Sequence, residues 1–103
     1  MRRESEILRA VLDYLTVRKV FHFRVNNTGV FDPSKKIFRK PHNITPGVSD
    51  IICVRQGLII CIEVKSSSGF QSQAQKEFEA GVYNNGGQYH VVRSVDDVIK
   101  IGL

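Results

Sequence analysis

Cysteine is scarce in this sequence, and its placement excludes a disulfide scaffold. Cys53 and Cys61 lie inside apolar runs with no Cys or His neighbour at zinc spacing, so they read as reduced core residues. Long apolar runs are missing as well. No stretch approaches the roughly 18 residues a membrane span needs, and "MRRESE" turns acidic with no apolar signal core behind it. The expectation is a cytoplasmic protein, of phage or bacterial kind. Repeats and low-complexity segments are absent, and all three prolines fall between Asn26 and Gly47. Acid is outnumbered by base. The formal net charge is +5 and the pI about 9.5, which points weakly to an anionic partner. What is present is ordinary globular material: 42% hydrophobic and 24% charged residues in 103, enough for one domain with one core.

Apolar spacing predicts the elements. Ile7, Leu8, Val11, Leu12 and Leu15 make a helical stripe from Glu4 to about Lys19. "VFHFRV" alternates and reads as a strand, followed by an irregular stretch from Asn26 to Gly47. Within that stretch, "VFDPSKKIFRK" fits a small hairpin turning at Asp32-Pro33. "DIICV" and "LIICIEV" are two strands separated by "RQG". A second helix runs from Ser72 to about Asn84 and closes at Gly86-Gly87. "QYHVVR" is a last strand, and Val95 to Ile101 a short helix with Ser94 as its cap. The fold class is α/β, a mixed central sheet flanked by helices.

"LIICIEVKSSSG" holds the chemistry. It is apolar on both faces, which argues for a central strand, yet it ends with Glu63 and Lys65 on one face. If the two strands form a hairpin with a two-residue loop, Gln56-Gly57, then Arg55 pairs with Leu58 and Asp50 falls opposite Glu63. Their Cβ atoms would then be about 4.5–5.5 Å apart. Two opposed carboxylates repel unless a cation sits between them, and hard oxygen donors suit Mg2+ or Mn2+. Glu4 lies mid-stripe on the first helix, where it either faces the interior or frays into water. Gln75 flanks the apolar stripe Ala74, Phe78 and Val82, and either faces the sheet or is an ordinary helix residue.

"ESEILRAVLDYL", "RVNNTG", "GVSDI", "IEVK", "QAQKEF" and "GGQYHVVRSVDDV", in that order, resemble the PD-(D/E)XK nuclease superfamily. More narrowly they resemble its virus-type replication-repair nuclease domain, the VRR-NUC family. One departure is Ser49, which stands where the motif usually has Pro. The resemblance implies a restriction-endonuclease-like core in the order α-β-β-β-α-β. It also implies catalytic positions at Glu4, Asp50, Glu63 and Lys65, with Gln75 supporting them. Metal ligands would come from Glu4, Asp50, Glu63 and the Val64 carbonyl. Lys65 would position the attacking water or take its proton, and would counter charge on the phosphate.

Substrate residues follow from charge and from the resemblance. Lys35, Lys36, Arg39, Lys40 and His42 cluster before Asp50, either to grip DNA phosphates or as a solvated loop. Arg24, Asn26 and Asn27 match the family's "RxN" stretch. Ser66 to Gly69 reads as a turn bringing backbone amides near phosphate, or as a plain flexible loop. His22, His42 and His90 share no spacing and are not put forward. The resemblance implies a metal-dependent endonuclease acting on branched DNA such as Holliday junctions, working as a homodimer. Phe31, Ile37 and Phe38 either form the dimer surface or cap the sheet of a monomer. The alternatives are a flap- or restriction-like nuclease, and a DNA-binding module without chemistry.

Overall fold

The computed structural model describes residues 3–25, 30–32, 37–39 and 45–103. Asn26, Asn27, Lys35, Lys36, Lys40, His42 and the Pro33 turn lie outside the described residues.

A four-stranded mixed sheet organises the chain in the order β1-β4-β5-β6. β1 (His22–Arg24) runs antiparallel to β4 (Ile51–Arg55), β4 antiparallel to β5 (Leu58–Val64), and β5 parallel to β6 (Gln88–Val92). The expected small hairpin is present as a separate two-stranded sheet, β2 (Val30–Asp32) with β3 (Ile37–Arg39). β5 is interior, as its two apolar faces require.

The β4–β5 register is set by its turn. Gln56 and Gly57 have φ of 50° and 82°, the double positive φ of a type I′ turn, whose twist matches the flanking strands. Gly57 takes that conformation without the steric cost that a Cβ adds. Arg55 then pairs with Leu58 and Ile51 with Ile62, as the two-residue loop predicts.

Alternation divides the sheet into two faces. Ile51, Cys53, Ile60, Ile62, Val64 and Val92 point to one side. There α1 (Glu4–Val17) lays Ile7, Val11 and Leu15, and α3 (Val95–Ile101) adds Val98. This side is the core. Both cysteines are free and buried, as expected. The other face carries Cys61, Glu63 and Tyr89, and α2 (Gln73–Asn84) packs there with Phe78 edge-on to Tyr89, ring centroids 6.1 Å apart. No described helix is long and apolar enough to cross a membrane.

The loop ahead of β4 is pressed against α2. Gly47 has φ +74°, and a Cβ there would lie 2.2 Å from the carbonyl oxygen of Ala74 and 2.6 Å from the amide nitrogen of Gln75. Only glycine fits, both for backbone conformation and for space. Gly47→Ala is therefore expected to destabilise the protein by more than about 2 kcal/mol, by strain and displacement of the first turn of α2. Chemical denaturation measures this, and an unchanged midpoint would contradict the close approach.

Candidate active site at the ends of β4 and β5

Asp50 enters the site from the residue just before β4. Its carbonyl accepts from the Val25 amide at 2.8 Å, which holds the backbone to the end of β1. Its Oδ2 accepts from the Val64 amide at 2.8 Å. The last ladder pair is Ile51 with Ile62. One step further the Asp50 side chain, not its backbone, takes the next available amide of β5. The predicted register thus holds to the edge of the site, and the two strand ends are joined there by a carboxylate.

Glu63 is buried, with 2% of its surface exposed. Its Oε2 accepts from Gln75 Nε2 at 2.8 Å and lies 3.5 Å from Lys65 Nζ. Its Oε1 is buried with no hydrogen-bond partner among the described residues. A buried carboxylate oxygen left without a donor is costly. Burial, and after it the like charge of Asp50, pushes the Glu63 carboxyl up from 4.5 to about 7, while Lys65 pulls the other way. Desolvation wins over the ion pair because one ammonium at 3.5 Å does not replace the lost water.

The Gln75 amide is oriented by a helix cap. Ser72 caps α2: its Oγ accepts from the Gln75 amide at 3.2 Å, and its own N–H donates to Gln75 Oε1 at 2.9 Å. This is a capping box. It uses the oxygen of the Gln75 side chain and leaves the NH2 pointing at Glu63. "SQAQ" carries the S-x-x-Q signature, so this role of Ser72 was readable but not drawn from the sequence above. Gly47, braced on the same turn, was likewise missed, because close backbone approach leaves no periodic signal.

The structure brings together Asp50, Glu63, Lys65 and Gln75, with the Val64 amide bonded to Asp50. Glu4 is exposed in the first turn of α1. Among the described residues, no three His, Cys, Asp or Glu side chains stand close enough to share a metal ion. The buried stripe of α1 runs through Ile7, Val11 and Leu15; Glu4 shares its angular face but stands in the first turn, ahead of Ile7, so of the two expected outcomes it faces water. Arg24 is exposed and pairs with Ile51; Arg39 ends β3. His22 and His90 are engaged locally, with the Val20 carbonyl and with Gln88 Oε1.

Two neighbouring features do not supply the chemistry. The Tyr89 hydroxyl is buried, and burial first of all pushes its pKa to about 12, with Gln71 pulling the other way. It stays protonated at neutral pH and is no general base. An apolar groove of about 590 Å³, lined by Ile52, Leu58, Ile59, Cys61, Phe78 and Val82 among others, sits toward the hairpin end and excludes both carboxylates.

No protein-family model matches the chain, and no curated protein does. Solved structures do. One named as a VRR_NUC domain protein superposes with a TM-score of 0.72 at 19% identity, covering 97% of this chain and 84% of that one. The chain has the fold of VRR_NUC domains. A second structure, named VRR_NUC domain, gives a TM-score of 0.66 at 15% identity, covering 95% of this chain and 91% of its own. The expected α/β architecture, a mixed central sheet flanked by helices, is thereby borne out.

Two predictions test the site as a physical object. Glu63 holds a proton in the folded state at pH values where the unfolded chain has lost it, so metal-free stability falls as pH rises from about 4.5 to about 7. Glu63→Gln is expected to remove that fall, leaving the variant more stable than the wild type near neutral pH. Thermal denaturation across this range without divalent metal measures it, and parallel profiles would refute the buried-carboxylate account. Ser72→Ala should cost about 1 kcal/mol through the lost cap, with Ser72→Thr close to wild type in the same assay.

Proposed function

We propose that this protein is a divalent-metal-dependent endonuclease that hydrolyses phosphodiester bonds in DNA, with branched DNA such as Holliday junctions as its substrate. The observation that carries the reading is the unpartnered, buried Oε1 of Glu63. A carboxylate this deep, beside Asp50 and already bonded on its other oxygen, has a place for one more electropositive group. A hard cation fits the donor set, which consists of oxygens alone.

Asp50 and Glu63 would hold Mg2+ or Mn2+, with the Val64 carbonyl as a further oxygen; the reading does not require Glu4. Such an ion, when bound, lowers the pKa of water and polarises the phosphate. The chain's own groups do the rest. Gln75 Nε2 keeps the Glu63 carboxylate from rotating away from Asp50. The Val64 amide does the same for Asp50. Lys65, only 12% exposed, carries its ammonium at the lip of the pair. From there its Nζ donates to and orients the attacking water, and it opposes the charge that builds on the phosphate in the transition state. The excess of basic residues supplies sequence-independent attraction to the DNA backbone. A two-fold homodimer would present two such sites to one branched substrate.

Incubation with labelled junction, flap, single-stranded and duplex DNA, with and without Mg2+ or Mn2+, tests the proposal. Cutting is expected only with metal and most efficiently on junctions. Asp50→Ala and Glu63→Ala should each abolish cutting while DNA binding persists. Lys65→Ala should lose cutting yet keep metal affinity by calorimetry, because an ammonium is no ligand. Near-wild-type cleavage by either carboxylate variant would overturn the assignment. Preference for flaps would move the substrate class to the alternative nuclease reading.

A further inference from the structure

Phe70 is the most exposed large apolar side chain among the described residues, at 85%. Single exposed apolar residues are common and by themselves ask for no explanation. This one differs in how it is presented. It lies in the connection between β5 and α2, five positions after Lys65 and two before the Ser72 cap.

The connection is braced on both sides of the ring. Arg93, between β6 and α3, donates from Nη1 to the Ser66 carbonyl and to the Gly69 carbonyl, the latter at 2.9 Å. Arg93 is itself held by its amide, which donates to Asp97 Oδ2 at 2.8 Å. Gly69 folds against the Lys65 side chain, so that a Cβ at 69 would lie 3.4 Å from Lys65 Cδ and 3.5 Å from Lys65 Cβ. On the other side, the capping box anchors Ser72 to Gln75, whose amide reaches Glu63. The ring is therefore tied through one glycine to Lys65, and through one helix turn to Glu63. Holding an apolar ring out in water on a braced loop adds nothing to the core.

We infer that Phe70 is a stacking platform for a nucleobase with an open face beside the phosphodiester that Lys65 and Glu63 address. The inference deepens the nuclease reading and rests on it for the location of the phosphate. Its chemistry is that of a flat apolar face. Bases within a duplex are stacked on both sides and cannot offer such a face, whereas a base at a gap, bulge or branch point can. Because the loop is already ordered, little conformational freedom is lost when the base arrives. Phe70 thus selects for an interrupted base stack next to the cut, as at a gap or branch point, without reading sequence.

The test uses the 103-residue chain and two DNAs, a paired duplex and the same duplex with a two-nucleotide gap carrying 2-aminopurine. Fluorescence anisotropy without divalent metal gives the affinity ratio. The wild type should bind the gapped DNA roughly tenfold or more tightly than the duplex, and should change the 2-aminopurine emission. Phe70→Ala should bring the ratio close to one and abolish the emission change, while Phe70→Trp should retain both. Arg93→Ala, which frees the loop, should reduce the ratio with the ring still present. An unchanged ratio in Phe70→Ala would overturn the inference. So would light scattering in which Phe70→Ala dissociates an oligomer without altering the ratio, since the ring would then face another copy of the chain. Hydrolysis is assayed separately with Mg2+ on the wild type. Failure to cut with the gap preference intact would defeat the nuclease reading and still support stacking.

Discussion

A carboxylate buried at the end of a central strand constrains nearly everything around it. Glu63 loses its water on entering the sheet, and three neighbours bear on the consequence in different ways. Gln75 supplies a hydrogen bond at 2.8 Å, Lys65 an opposite charge at 3.5 Å, and Asp50 a like charge that makes the burial worse. The net effect is a carboxyl raised to about 7 with one oxygen unpartnered. An arrangement built only for stability would not place Asp50 there. Groups that cost the fold energy and converge on one point are a common signature of a working site.

The architecture gives each layer a different task. One face of the sheet is closed by α1 and α3 with aliphatic side chains, and it carries the stability. On the other face α2 has no fully buried residue of its own. Its first turn nonetheless carries the cap, the Gln75 amide and the close approach of Gly47. A helix that packs lightly along its length but is tied at its N-terminus can still hold a polar group precisely where it is needed. The same economy governs the 65–72 connection, where one arginine from the far side of β6 replaces a core as the source of order.

Periodicity and turn chemistry determined, from sequence alone, the three helices, the strand order along the chain and the small hairpin. The two-residue loop Gln56-Gly57 also determined the β4–β5 register, because side-chain alternation allows no half-steps. That register is why Asp50 and Glu63 were legible as a pair before any coordinates. The neighbourhood of Gln75 was half legible, since its helix face was readable but its partner was not. Tertiary structure alone decided what lies across space rather than along a repeat: the parallel placement of β6 beside β5, the pressing of Gly47 onto Ala74, and the Arg93 brace over Gly69. It also decided that Glu4 stands exposed: it shares the angular face of Val11 and Leu15 but lies in the first turn, ahead of Ile7, the first buried residue of the helix. A helical wheel gives the angles between side chains. Only the surface a helix lands on decides how much of that face is covered along its length, because burial is a property of two packed elements and not of one.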